Sequence, residues 1–287
     1  MTTHDAPEGR RAPLAASSFA RRVLGSPIAP LAVFPWRFAA AARWSLRTFG
    51  ATTRWLFGSR ENTNYTYDLT PRNREHLAWF VAHVAGIPLA EARGYIQEVL
   101  DDQALTAHVM GETARSRYRW LADRVPRYGR RIGWYAFVRA LKPDVLVETG
   151  TDKGLGSVVL AAALLRNGKG RLISIDINPA AGYLISGRYA EVTELVISDS
   201  IAALAALEDV DLFIHDSDHT AEHEYAEFTA IAPNLRPDAL SLSDNAHATD
   251  SMTRWAEETG REFLFFDERP ARHWYPGAGI GTALPPR

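Results

Sequence analysis

The chain has no cysteine, which excludes disulfides, thiolate catalysis and cysteine-bound zinc and leaves only oxygen or imidazole ligands for any metal. Lysine is almost missing, at positions 142, 153 and 169 only. Acid is missing altogether between Gly9 and Arg60, a segment that carries many arginines. Long apolar runs are also lacking. The longest uncharged stretch of that segment, Val23 to Trp36, contains Pro27, Pro30 and Pro35 and is too short and broken to span a bilayer. Asp5 and Glu8 precede the first arginines and no compact apolar segment follows, a pattern unlike a secretory signal. A cytoplasmic location is therefore the expectation. The net charge of −2 supplies no global attraction for nucleic acid, so no nucleic-acid partner is expected.

What the chain does have is 46% apolar residues over 287 positions, enough to bury a large core. Residues 1–16 are polar and alanine-rich without periodicity, which predicts a disordered tail. Residues 17–125 predict an N-terminal helical region. Its first part, Ser17 to Gly58, mixes aromatics with Arg37, Arg43, Arg47 and Arg54 as an amphipathic helix interrupted by prolines. Helical spacing recurs over Pro71–His83, Leu89–Val109, Gly111–Val125 and Tyr128–Leu141, with Thr70 as the N-cap before Pro71. Residues 126–287 form the second predicted domain. After Lys142-Pro143 the period changes to strand, with candidates at Val145–Thr149, Arg171–Asp176, Glu194–Ile197, Val210–His215, Leu240–Ser243, Glu262–Phe266 and near Gly279–Leu284. Helical stretches lie between them at Leu155–Arg166, Ala180–Arg188, Ile201–Leu207, Ala221–Ala232 and Ser251–Thr259. Such alternation predicts an α/β fold, doubly wound, with a mainly parallel seven-stranded Rossmann-like sheet.

Three strand-to-loop junctions carry chemistry. The first is Glu148-Thr149-Gly150-Thr151-Asp152-Lys153-Gly154-Leu155-Gly156, whose glycines permit close approach of backbone to a ligand. The spacing departs from the dinucleotide G-x-G-x-x-G pattern and favours a nucleoside without phosphates. The others are acidic: Asp216-Ser217-Asp218-His219 after Val210–His215, and Asp244-Asn245 after Ala239–Ser243. In a doubly wound sheet all three open into one crevice.

The glycine turn resembles the first motif of class I S-adenosylmethionine-dependent methyltransferases, and the resemblance runs in order from about Tyr128 to the C-terminus. It implies S-adenosylmethionine (SAM) as cofactor, held at Glu148, Gly150, Thr151, Gly154, Gly156 and Asp216. Asp176 matches the ribose-binding acid, and Asp199 and Ser200 match the position flanking adenine. Within that superfamily the acidic turns are similar to metal-dependent O-methyltransferases of the catechol and caffeoyl-CoA type, and to macrolide-sugar O-methyltransferases. That likeness implies Asp216, Asp244 and Asn245 as ligands of Mg²⁺ or another divalent cation, a set of hard oxygens that suits Mg²⁺ on chemical grounds also.

A hydroxyl near neutral pH needs its proton removed or its oxygen charge stabilised before it takes a methyl group. His219 and Asp216 are the catalytic candidates, with His219 as the base where the catechol-type enzymes carry a lysine that this chain lacks. His247 is the substitute base, and Asp218 has no assigned role. His219 and His223 with Glu222 imitate a zinc helix, but the H-E-x-x-H order is absent.

The expected activity is transfer of methyl to a hydroxyl of a small natural product or sugar. Two other readings stay open: a metal-independent methyltransferase with His219 as base, and a non-catalytic SAM-binding protein that is membrane-peripheral or oligomeric. Tyr65, Tyr67 and His273-Trp274-Tyr275 are candidate walls for a hydroxylated small-molecule acceptor. The Arg- and Trp-rich segment has three readings, in this order: a lid or dimerisation surface, a site for an anionic or glycosylated substrate, and a membrane-surface helix. A homo-oligomer is expected.

Overall fold

Beyond Pro143 the period-2 runs become one seven-stranded sheet in the computed structural model, which describes residues 22–62 and 66–286. The strands are β1 (Val145–Thr149), β2 (Arg171–Asp176), β3 (Thr193–Ile197), β4 (Val210–His215), β5 (Leu235–Asp244), β6 (Glu262–Asp267) and β7 (Gly279–Leu284). Their order is β3-β2-β1-β4-β5-β7-β6. β1 to β5 pair in parallel, whereas β7 runs antiparallel to both β5 and β6. The chain winds outward through β2 and β3, then restarts at β4 beside β1. A crevice therefore opens between the carboxyl ends of β1 and β4, where such sheets receive ligands.

The described helices are α1 (Ala29–Gly58), α2 (Pro71–Ala85), α3 (Leu89–Leu100), α4 (Gln103–Arg115), α5 (Arg131–Leu141), α6 (Leu155–Asn167), α7 (Ser200–Ala205), α8 (Ala221–Ile231) and α9 (Ser251–Glu258). Alternation along each strand assigns side chains to opposite faces of the sheet. Leu146 and Leu212 join a core with Trp134, Leu160, Leu77 and Val99 on one face. Val147 and Phe213 join Phe228 and Trp255 on the other.

Several expectations need adjustment. The chain divides after Trp55, not near residue 125, and everything from Leu56 onward forms one unit. The reason is packing: Leu77, Val81, Ile96, Val99 and Leu105 of α2 to α4 share a core with α5 and α6, so these helices are part of the sheet domain. The helix expected over Leu89–Val109 breaks at Asp101-Asp102, where the Asp102 carboxylate caps α4 through the Leu105 N–H. That expected over Gly111–Val125 ends with α4 at Arg115. Ala180–Arg188 forms no α-helix, only the start of a short 3-10 turn at Gly187–Tyr189. Its Gly182 adopts φ +76° and donates N–H to the Asp152 carbonyl at 2.7 Å, and Leu184 N–H bonds the Lys153 carbonyl, so this stretch wraps the glycine turn instead. Conversely, α1 is continuous through Pro35. The tail expected at 1–16 lies outside the described residues.

This division predicts unequal costs for two truncations. Leu77→Ala removes a wholly buried side chain and should cost about 2–5 kcal/mol with a lower Tm. Phe49→Ala in α1, where Phe49 is exposed, should stay within about 0.5 kcal/mol, as measured by denaturant unfolding.

Candidate functional site

At the end of β1 the chain must turn under another backbone. Gly150 has φ +88°, and a Cβ there would lie 2.0 Å from the Asp216 carbonyl oxygen, so only glycine fits. The two strand ends are also stitched together: Asp216 N–H donates to the Thr149 carbonyl at 3.0 Å, and Gly150 N–H donates to that of Ile175 at 2.9 Å. Gly154 then caps α6 and donates to the Thr151 carbonyl at 2.7 Å.

Beneath the turn lies Glu148, buried and accepting from Ser157 Oγ at 2.6 Å and Ser174 Oγ at 2.9 Å. Burial pushes its pKa up to about 7. A Cβ on Gly156 would meet its Oε1 at 2.2 Å, which explains that second close glycine. Thr151 Oγ1 joins the same group through Ser174 Oγ at 2.7 Å. Asp176 accepts the N–H groups of Asp152 and Asn178, both at 2.8 Å, and so ties the turn to β2. Asp199 caps α7 through Ala202 N–H at 2.9 Å, and Ser200 Oγ pairs with His223 Nε2 at 3.2 Å.

Two cavities open above these strand ends. One, of about 430 Å³, is lined among others by Asp176, Ile177, Asp199, Ser200, Asp218 and His223. The second, of about 380 Å³, is lined among others by Tyr67, Arg130, Arg131, His219, Asp244 and Tyr275. They share Gly150, Asp152 and Asp216. A ligand reaching from one into the other must pass the turn of β1.

The second cavity brings the two acidic turns together. Asp216, His219 and Asp244 each offer a ligand atom within 4.8 Å of the others. Asn245, at φ +55°, donates its Nδ2 to His219 Nε2 at 2.7 Å, which leaves the imidazole proton on Nδ1. Burial, with the charges of His215 and Arg130, lowers the His219 pKa to about 4, so the ring is neutral near pH 7. Burial raises the pKa of Asp216 against the pull of Arg130 and Arg131, and Arg131 stands 3.9 Å from its carboxylate.

Asp244 is wholly buried, and both its oxygens bind the Arg130 guanidinium. Arg130 also donates to the Tyr67 hydroxyl at 2.8 Å and approaches Glu268 at 3.4 Å, while the Tyr67 hydroxyl donates to Glu268 at 2.8 Å. Asp216 and Asp244 thus bring hard carboxylate oxygens, and His219 an imidazole, to one point, where a cation and Arg130 would compete for the Asp244 carboxylate.

Gly150, Thr151, Gly156 and Asp216 therefore line a cavity, as do Asp176, Asp199, Ser200, His219, Asp244 and Asn245, whereas Glu148 and Gly154 lie behind the wall. Of the aromatic candidates, Tyr67 and Tyr275 line the second cavity, His273 and Trp274 do not, and Tyr65 lies outside the described residues. His247 is exposed and lines neither cavity. Sequence reasoning missed Arg130, Arg131, Glu268 and Glu227. The adjacent arginines at the start of an otherwise apolar helical pattern, Arg130-Arg131-Ile132-Gly133-Trp134, were the available signal.

Glu227 fixes the loop after β4. It accepts from Thr149 Oγ1, His215 Nδ1 and Ser217 Oγ, each at 2.7 Å, and pairs with His223 Nε2 at 3.0 Å. Burial alone would raise its pKa, but the hydrogen bond and charge of His215, with Ser200 and Thr149, hold it at about 2. That is below the unfolded value of about 4.3, so the stabilisation is present above the unfolded pKa and lost as pH falls toward the folded one. Thermal melts should show Tm dropping as pH falls below about 4, and Glu227→Gln should lower Tm at neutral pH while flattening that slope. Gly150→Ala should cost at least about 2 kcal/mol of stability through backbone collision, together with loss of cofactor binding by calorimetry.

Residues 147–246 match the family model described as a methyltransferase domain. No curated protein matches the sequence. In structure the chain is similar to cofactor-bound Rv0187 from MTB, at 18% identity over 64% of this chain and 90% of that one, with a TM-score of 0.50. Weaker likenesses include TomG of Streptomyces achromogenes, an O-methyltransferase involved in tomaymycin synthesis and in complex with SAM (18% identity, 65% of this chain and 91% of that chain, TM-score 0.47). Another is the O-methyltransferase of Bacillus cereus in complex with SAH (15% identity, 73% and 97%, TM-score 0.45). The chain thus has a Rossmann-like methyltransferase fold, within which residues 147–246 match a methyltransferase-domain family model.

Proposed function

We propose that the protein transfers the SAM methyl group to a hydroxyl oxygen of a small molecule bound in the cavity of Tyr67, Arg130, His219 and Tyr275. The observation that carries this reading is the junction of two cavities at Gly150, Asp152 and Asp216. With the nucleoside beside Asp176, Asp199 and Ser200, the sulfonium methyl would emerge at that junction, facing the acidic cluster. Asp216 supplies negative charge beside it.

His219 is the proton acceptor in this reading. Its neutral ring offers Nε2 to the cavity, at present hydrogen-bonded by Asn245. A hydroxyl that enters between the two donates its proton to Nε2 and receives the Asn245 N–H on its oxygen, which fixes the lone pair for in-line attack. Tyr67 and Tyr275 enclose the acceptor and exclude water. Asp216, Asp244 and Asn245 would hold Mg²⁺ or another divalent cation, which leaves His219 Nε2 to the acceptor hydroxyl. A bound cation lowers the pKa of a hydroxyl that it ligates.

The grip of Arg130 on Asp244 favours a second reading, in which the guanidinium meets the charge of Asp244 and transfer proceeds without a cation. Calorimetry with SAM comes first, and failure to bind would contradict both readings. Turnover on a panel of hydroxylated acceptors with chelator then separates them: loss that Mg²⁺ restores supports the cation, and unchanged rates support Arg130. Competition for Asp244 also predicts that Arg130→Met binds Mn²⁺ at least about 10-fold more tightly than the wild type by calorimetry, with circular dichroism as the folding control.

A further inference from the structure

The site described above makes no use of α1. This helix carries Arg37, Arg43, Arg47 and Arg54, has no acidic residue, and buries none of its residues. Its large apolar side chains are open to solvent, Trp36 at 76%, Phe49 at 70% and Phe57 at 89%. Water opposes that arrangement, since each such side chain gains about 1.5–3 kcal/mol on burial. No described helix is long and apolar enough to cross a membrane.

The exposed residues are ordered. At roughly 100° per residue, Leu31, Phe34, Phe38, Phe49 and Leu56 fall within a stripe about 60° wide, and Phe34 stacks on Phe38 at 6.1 Å. Arg43, Arg47 and Arg54 project from the opposite side, where Trp36 also falls, while Arg37, Trp44 and Trp55 lie between the two sets. An apolar stripe, an arginine-rich back without acid and amphipathic side chains at the border match a helix that lies in the plane of a bilayer surface. Over its length of about 45 Å the helix would bury the stripe among acyl chains and spread its arginines over the head groups.

We infer that α1 binds the surface of an anionic lipid bilayer, with its Leu31–Phe38–Phe49–Leu56 stripe inserted and its arginines on the head groups. Charge selects this occupant. A second copy of α1 would bring the same arginines and again no acid, so two copies have nothing complementary to exchange, whereas anionic lipid has. The test is flotation of the full-length protein with vesicles of phosphatidylcholine alone and of phosphatidylcholine with about one third phosphatidylglycerol. The anionic vesicles should bind on the order of 100-fold more tightly, and added salt should weaken the binding. Phe38→Glu with Phe49→Glu should abolish it, and Arg43→Gln with Arg47→Gln and Arg54→Gln should reduce it to the neutral-vesicle level, with SAM affinity unchanged in both. Absence of vesicle binding would overturn the inference, as would a dimer in sedimentation that Phe38→Glu with Phe49→Glu dissolves while vesicles stay unbound.

Discussion

The backbone of Gly150 passes so close to the carbonyl of Asp216 that no side chain fits between them. Much of the site follows from this approach. β1 and β4 are neighbours only because the chain restarts its winding at β4, and the restart leaves their carboxyl ends open. With Gly150 drawn against Asp216, the same few atoms become the floor of both cavities. One cavity then borders the acids of β2 and α7, and the other borders the acids of β4 and β5.

Burying that many charges is costly, and the structure offsets the cost locally. Asp244 and Glu268 surround Arg130, and Glu227 collects hydrogen bonds from β1, from the end of β4 and from α8 itself. Glu148 has only two serine hydroxyls and no adjacent cation in hydrogen-bonding contact, and its pKa rises accordingly. These networks do different work. That of Glu227 holds the Ser217–His223 loop in place, whereas that of Arg130 enters the cavity wall and contests a carboxylate that a cation would also require.

Much of this was legible in the sequence because it is local. Strand periods, the glycine spacing and the acids that follow β4 and β5 are written in consecutive residues, and each sits where the pattern put it. What escaped depends on residues far apart. Arg130 is an ordinary helix-start residue until the fold sets it against Asp244, 114 positions away. Ala180–Arg188 has helix-forming residues, but Gly182 and the carbonyls of Asp152 and Lys153 capture it as a loop. Helical period does not mark the boundary at Trp55, because α2 to α4 share the spacing of α1; the difference lies in what their apolar faces touch and in the return of acidic residues after Arg60.

The central claim is that the reacting methyl group lies at the junction of the two cavities. A crystal structure of the full chain with S-adenosylhomocysteine measures this directly. The account predicts the adenosine beside Asp176, Asp199 and Ser200 and the sulfur at Gly150, Asp152 and Asp216, pointing toward His219. A nucleoside bound elsewhere, or a sulfur directed away from the Asp216–His219–Asp244 cluster, would contradict it.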